Sequence, residues 1–130
     1  MEWITRVNQA LAHIEKKLGE KLDEKEISRI TLCPVSTIQR FFVLNTGITL
    51  TEYIRRRKIS EAAREVLQTE SKLLDIAHKY GYESSDTLCV AFKRYFGVTP
   101  SEARAEGTVL ELYPRIYFKL DIVYDMEELQ

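Results

Sequence analysis

Residues 36–52 (STIQRFFVLNTGITLTE) and residues 86–102 (DTLCVAFKRYFGVTPSE) repeat one pattern at a shift of 50 positions. Each copy has an apolar helical face, a glycine that stops the helix, and a Thr-x-x-Glu capping box that starts the next helix. The matching pairs are Ile38 with Leu88, Phe42 with Phe92, Gly47 with Gly97, Ile48 with Val98, Thr49 with Thr99 and Glu52 with Glu102. The repeat therefore predicts two equivalent helical units in one chain.

Apolar residues also recur at helical spacing on both sides of the repeat, from Val7 to about residue 106. Capping boxes, glycine stops and a proline at a first helical position mark where the helices begin and end. The predicted helices cover about residues 7–18, 24–30, 34–45, 50–68, 73–80 and 85–96, with a last helix that begins at Pro100. We therefore predict that residues 1–107 form an all-α domain.

A short helix, a tight break and a longer helix occur twice, at about residues 24–45 and 73–96. This order is typical of the helix-turn-helix unit, whose second helix enters the major groove of DNA. A repeated αα-hairpin that binds other proteins would give the same pattern. Two functions therefore stay open here: DNA binding, and a protein-interaction module that keeps the fold without DNA specificity. Two copies are too few for a solenoid.

The composition narrows the class of protein. The chain has 130 residues, of which 45% are hydrophobic and 30% are charged, as in soluble globular proteins. No apolar run approaches the ~20 residues of a membrane span, and the N-terminus lacks the pattern of a secretory signal. Two cysteines cannot form a disulfide framework, so we expect a reducing, cytoplasmic location and no membrane partner.

The net charge of −1 averages two unlike parts, because residues 1–107 carry +2 and residues 108–130 carry −3. Neither value is that of a strongly basic nucleic-acid binder, so DNA binding would depend on the local placement of charge. Four consecutive cations occur in residues 54–58 (IRRRK), between the two predicted units. Most charge runs are only solvated surface, but at this position we predict a patch for the DNA backbone.

The N-terminal half of each second helix is the part that meets base edges in a helix-turn-helix protein. Gln39 can pair with adenine and Arg40 with guanine, each adding ~1–3 kcal/mol of discrimination. We predict that the second unit reads bases more weakly, because Asp86 repels phosphate and Val90 at most touches a thymine methyl group. The candidate base-reading residues are Val35, Ser36, Gln39 and Arg40 in the first unit, and Ser85, Asp86, Thr87, Cys89 and Val90 in the second; Lys93 and Arg94 are candidate phosphate contacts.

Catalytic, metal and cofactor sites are not indicated. His13 and His78 have polar neighbours in predicted helices, and Cys33 and Cys89 have no partner at zinc-site spacing. The sequence contains no glycine-rich phosphate loop and no nucleophile elbow. We therefore expect a protein that is not an enzyme and that uses no cofactor and no metal.

From about residue 108 the period changes to alternation, which predicts one β-strand. Its predicted apolar face is formed by Ile116, Phe118, Leu120, Ile122 and Tyr124. A single strand needs a partner edge or a covering surface, because it cannot satisfy its own backbone groups. The same strand of a second copy would provide one, through a weak homodimer formed by residues 115–124. The alternative is a tail that folds against the helices or stays mobile, as expected for a truncated domain.

Several motifs resemble the AraC/XylS family of transcription regulators, and they occur in that family's order and spacing over residues 8–106. The motifs are STIQRFF (36–42), YIRRRK (53–58), DIAHKYGY (75–82) and AFKRYFGVTPSEAR (91–104). The resemblance implies an all-α, seven-helix domain for double-stranded DNA, with two helix-turn-helix motifs joined by a long helix. It also implies that both recognition helices enter successive segments of the major groove. Many family members are activators that contact RNA polymerase, which makes that enzyme a candidate partner.

By position in the family's motifs, Ser36, Gln39 and Arg40 match base-reading sites, and Arg55 matches a phosphate contact. The residues Ser85, Asp86, Thr87, Cys89 and Val90 match the reading face of the second motif. The sequence departs from the family at Val90, where arginine is common, at Pro34, where a Ser or Thr cap is usual, and at Leu32, where glycine is expected. Residues 112–119 (LYPRIYFK) resemble the junction to a gyrase-inhibitor-like effector domain. Residues 108–130 would then be a linker and the first strand of such a domain, truncated after that strand.

Overall fold

Seven α-helices follow one another within residues 2–119, the part of the chain that the computed structural model describes. They are α1 (Trp3–Lys16), α2 (Glu24–Thr31), α3 (Val35–Thr46), α4 (Leu50–Gln68), α5 (Leu73–Lys79), α6 (Ser85–Phe96) and α7 (Pro100–Glu106). The predicted all-α class is therefore confirmed, as are the two helix-turn-helix units, α2–α3 and α5–α6, and the long helix α4 between them.

Local signals explain where the helices begin. Asp23, Thr49, Ser84 and Thr99 each accept a hydrogen bond from the backbone N–H three residues later, at 3.0–3.1 Å. These bonds satisfy N–H groups that have no partner within the helix. At the other ends, Gly47 and Gly97 cap α3 and α6 with φ of +80° and +83°. The two copies of the repeat are thus alike in backbone geometry as well as in sequence.

The helices form two lobes that share α4. In the first lobe, α1–α3 pack on the N-terminal half of α4; in the second, α5–α7 pack on its C-terminal half. The first core contains Val7, Ala10, Leu11, Ile14, Leu18, Ile27, Ile38, Phe42, Leu50 and Tyr53. The second contains Ile59, Ala62, Ala63, Val66, Ile76, Ala77, Leu88, Phe92 and Ala103. Each core holds one recognition helix against α4.

The lobes also touch directly, backbone against backbone, at two glycines. A Cβ atom on Gly19 would overlap the carbonyl oxygen of Lys79, and one on Gly81 would lie 2.5 Å from the carbonyl oxygen of Gly19. Only glycine permits such an approach. Tyr80, beside this joint, packs against both cores.

Residues 108–119 form an extended segment without regular structure, which we call the strap. Leu110 and Leu112 pack on the second core, while Tyr113, Ile116 and Phe118 pack on the first. The predicted strand is therefore wrong over 116–119: helix side chains, not a second strand, satisfy the backbone here. Its remaining positions, Leu120, Ile122 and Tyr124, lie outside the described residues.

These contacts bear on the predicted self-association through residues 115–124. Over residues 115–119, the apolar side chains that a second copy would have to cover already pack on this chain's own helices. Residues 120–124 lie outside the described part of the chain, and the homodimer stays a prediction. So does the domain division near residue 107, where Gly107 caps α7 with φ of +60°.

Candidate nucleic-acid interface

The turn of the first unit is built without its usual residues. Leu32 ends α2 in the left-handed region, with φ of +59°, where glycine is normally favoured. Its side chain is 70% exposed, so the residue contributes a strained backbone without compensating burial. Beside it, the buried Thr31 hydroxyl donates to the Ile27 carbonyl at 2.8 Å, one helical turn back in α2. Pro34 precedes α3 and forms no side-chain cap.

One face of α3 is buried and the other is open to solvent. Ile38 and Phe42 are fully enclosed in the first core, and this orients the opposite face outward. Of the candidate base-reading residues, Ser36, Gln39 and Arg40 are exposed, and Val35 is half-buried against the core. Within residues 2–119, Arg40 forms no ion pair. The N-terminal half of α3 therefore offers an amide and a guanidinium to a ligand.

The equivalent face of α6 is less polar, and some of its side chains are half-buried or within hydrogen-bond distance of a neighbour. Leu88 and Phe92 are buried in the second core. Asp86, Thr87 and Val90 are exposed, whereas Ser85 and Cys89 are half-buried. The Thr87 hydroxyl lies 2.9 Å from the hydroxyl of Ser84, within hydrogen-bond distance.

The Cys89 thiol adds little charge to this face. Burial, helped by the negative charge of Asp86, raises the pKa of the Cys89 thiol. The group therefore stays protonated at neutral pH and is at best a weak hydrogen-bond donor. Lys93 and Arg94 are exposed in the last turn of α6, and neither forms an ion pair within the described part of the chain.

The four cations of residues 55–58 do not form the predicted common patch. Arg55 is exposed and pairs with Glu52, whereas Arg56 is half-buried, with its Nε 3.1 Å from the same carboxylate. The Nζ of Lys58 lies 4.7 Å from the centre of the Tyr82 ring, and burial lowers the Lys58 pKa. Arg57 is buried. The prediction is wrong for Arg57, and Arg55 is the exposed cation of the run.

Arg57 is instead the centre of a buried ionic network. Its side chain is only 3% exposed, and its Nη2 lies 2.6 Å from Glu15 and 2.9 Å from Glu61. Its Nη1 also donates to the carbonyl oxygen of Tyr113, in the strap. The sequence holds one signal of this role: Arg57 follows the buried Tyr53 by one helical turn, on the core side of α4.

The described residues show no group of three or more histidine, cysteine or acidic side chains placed to hold a metal ion. Over the same residues, no helix has the length and apolar character needed to cross a membrane.

Sequence comparison connects these features to known proteins. The family described as "Helix-turn-helix domain" matches residues 27–106. The chain is 35% identical over 114 residues to the HTH-type transcriptional activator AarP of Providencia stuartii, covering 85% of this chain and 84% of that protein. It is 35% identical over 98 residues to the multiple antibiotic resistance protein MarA of Escherichia coli K12, covering 75% and 77%.

Solved structures share the fold at lower identity. A transcriptional regulator with an AraC-type DNA-binding domain from Chromobacterium violaceum superposes with a TM-score of 0.69 at 20% identity, covering 78% of this chain and 91% of that one. The DNA-binding domain of AdpA, crystallised with a target DNA, gives a TM-score of 0.66 at 21% identity, covering 77% and 90%. At these identities, both superpositions show that the fold is shared.

Proposed function

Since this chain belongs to the AraC/XylS family of sequence-specific DNA-binding transcription regulators, we propose that α3 is its main base-reading element and α6 a weaker one. The observation that carries this proposal is the exposure of Gln39 and Arg40 on the N-terminal half of α3, opposite the buried Ile38 and Phe42. Glutamine and arginine are the side chains that pair bidentately with adenine and guanine in the major groove.

The reading residues we propose are those predicted from the sequence. They are Val35, Ser36, Gln39 and Arg40 on α3, and Ser85, Asp86, Thr87, Cys89 and Val90 on α6. On α6 the half-buried positions and the protonated thiol offer few strong donors or acceptors. We expect a binding site with a sharply defined half for α3 and a loosely defined half for α6, about one helical turn apart.

Phosphate contacts are assigned to Arg55, Lys93 and Arg94. All three are exposed, and the Arg55–Glu52 pair is a surface ion pair that contributes little stability and can open for a phosphate. Lys93 and Arg94 would bind the backbone beside the segment that α6 reads. Contacts of this kind raise affinity for every sequence equally.

The protein acts, in this proposal, by binding and not by catalysis, in the cytoplasm. The relative AarP is described as a transcriptional activator, and we extend that role to this chain, with RNA polymerase as the partner that activation requires. The protein-interaction module is not favoured, because it gives no reason for a glutamine on the exposed face of α3 beside an arginine that forms no ion pair within residues 2–119.

The division between reading and phosphate contacts predicts a difference between two arginines. Replacing Arg40 or Gln39 by alanine should weaken binding to a selected site by ~1–3 kcal/mol and relax the preference at one or two base pairs. Arg55→Ala should weaken binding to all sequences alike and lower the slope of log affinity against log salt by about 1. Selection of sites from random duplex DNA with each variant, followed by a salt titration, measures both effects.

The wild-type chain is the control, and its affinity should itself fall steeply as salt rises. Identical preference profiles for Arg40→Ala and Arg55→Ala would contradict this division. Absence of binding to any duplex by the wild type would overturn the proposed function as a whole.

A second prediction concerns the weak face of α6. Val90 is 58% exposed, so arginine fits there without disturbing the core. Val90→Arg should raise affinity about tenfold, within the ~1–3 kcal/mol of one bidentate contact to guanine, and should sharpen one position of the weak half. The affinities are measured by electrophoretic mobility shift. The duplexes are the selected site and its twelve single-pair variants in the weak half (~4 positions, with three alternatives each).

The matched control is Val109→Arg, which adds the same charge at a position 94% exposed in the strap. It should give at most a small, sequence-independent gain. An equal gain from both variants would mean that charge alone, and not readout at Val90, raised the affinity.

A further inference from the structure

The strap is held by its backbone as well as by its side chains. Asn8, on α1, contacts both backbone groups of Phe118: Oδ1 accepts from the N–H at 2.7 Å, and Nδ2 donates to the carbonyl at 2.8 Å. The Tyr53 hydroxyl accepts from the N–H of Ile116 at 2.9 Å. The Ser60 hydroxyl accepts from the N–H of Tyr113 at 2.8 Å. The helices therefore bind this segment along its length.

Two of these partners are buried polar groups on α4. Tyr53 and Ser60 are almost completely enclosed. A buried hydroxyl is costly unless it has a hydrogen-bond partner, and here the amides of the strap supply one. Arg57, between these two residues, donates to the carbonyl of Tyr113. This surface of α4 is thus complementary to the extended strap.

The strap also connects the two recognition helices. At one end the ring of Phe118 lies 4.9 Å from the ring of Phe41, which is on α3. At the other end Leu110 and Leu112 pack on the second core together with Phe96, which is on α6. Between these ends the strap follows α4 from one lobe to the other.

We propose that the strap is a positioning element that fixes α3 relative to α6 and thereby sets the spacing between the two halves of the DNA site. Its positioning residues are Asn8, Tyr53, Ser60, Tyr113 and Phe118. The inference rests on the proposed function, because it needs both helices on DNA. Among the described residues, the other features that join the two lobes are α4, the Gly19–Gly81 joint and Tyr80, which packs against both cores.

A tighter constraint should appear as a stricter spacing requirement. One inserted base pair moves one half-site by about 3.4 Å and rotates it by about 35°. With a fixed arrangement the second helix loses its contacts, whereas a looser arrangement can follow the shift. Two rigidly linked binding elements lose their joint affinity when the geometry no longer matches.

The test compares the full chain with full-chain variants on one duplex. The probe is the site selected from random DNA with the wild type, together with versions that have one base pair inserted or deleted between the halves. The variant Phe118→Ala removes the aromatic anchor of the strap. Its matched control is Tyr117→Ala, because Tyr117 is the preceding residue and its side chain is 74% exposed.

Release of the strap is measured separately, by the rate of tryptic cleavage after Arg115, and helical content is checked by circular dichroism. We expect the wild type and Tyr117→Ala to lose about fivefold in affinity on the shifted sites, which is the modest share that the loosely defined α6 half contributes, and Phe118→Ala to lose about twofold or less. If Phe118→Ala alone does not speed the cleavage, the double variant Asn8→Ala/Phe118→Ala, which also removes the hydrogen bonds to the backbone of residue 118, takes its place in the comparison.

Faster cleavage combined with wild-type loss on the shifted sites would overturn the positioning role while leaving the proposed function intact. A relaxed spacing preference in Tyr117→Ala as well would also count against it, since that side chain is 74% exposed and packs on neither core among the described residues. If the wild type selects no site, the proposed function fails, and the positioning role fails with it.

Discussion

Replacing Arg57 by alanine should lower the free energy of unfolding by about 3 kcal/mol. The substitution removes the cation from a site that is 3% exposed and leaves the carboxylates of Glu15 and Glu61 without their central partner. Breaking a buried ion pair from one side costs more than the pair itself contributes, because the remaining charge stays partly desolvated. It also leaves the carbonyl of Tyr113 without this donor. Urea denaturation followed by circular dichroism measures the change.

Arg64→Ala is the matched control, because Arg64 pairs with the same Glu61 carboxylate, at 3.3 Å, from the solvent side. An exposed pair of this kind contributes at most ~1 kcal/mol, so the control should unfold close to the wild type. Adding Glu15→Gln to Arg57→Ala should recover part of the loss, since it removes one unpaired charge. A loss below 1 kcal/mol for Arg57→Ala would show that water reaches the network freely.

The joint between the lobes predicts an effect of similar size at Gly81. Alanine there must adopt φ near +80° and must also place its Cβ about 2.5 Å from the carbonyl oxygen of Gly19. The left-handed conformation costs roughly 1–2 kcal/mol, and overpacking against a backbone atom adds roughly 1–3 kcal/mol. We therefore expect Gly81→Ala to destabilise the protein by about 3 kcal/mol in total, measured as a shift of the urea midpoint.

Gly97 provides the control for the conformational part of this cost. It has φ of +83°, and a Cβ atom there would meet nothing within 4 Å. Gly97→Ala should therefore cost only the roughly 1–2 kcal/mol of the left-handed backbone. The difference between the two variants isolates the contact between the lobes. Equal losses would mean that the lobes move apart at little cost.

The parts of the fold that could be predicted from the sequence are those specified by neighbouring residues. A cap such as Thr49 acts on an N–H three residues away, and a stop such as Gly47 acts on its own φ. The repeat added the order of the helices, because two copies of one pattern must form similar units. The exposed positions of α3 followed from the same periodicity, as the burial of Ile38 confirms.

The parts that could not be predicted depend on residues far apart in the chain. Arg57 belongs to a run of four cations. Its spacing from Tyr53 places it on the core side of α4, but nothing local identifies Glu15, 42 positions away, as its partner. The glycines at 19 and 81 directly follow the predicted helices that end at about residues 18 and 80, but their mutual contact joins distant segments. The alternation after residue 108 correctly indicated one apolar face, yet a helical surface covers its described part, where a strand was expected.

The bond between Asn8 and Phe118 has a consequence for the order of folding. It joins residues 110 positions apart, whereas each helix forms through contacts within a few residues. Closing a long loop costs chain entropy before its contacts form, so distant contacts develop late. The helices and their two cores can therefore assemble first, and the strap docks onto a surface that already exists. The last step of folding is then the one that closes the chain across both lobes.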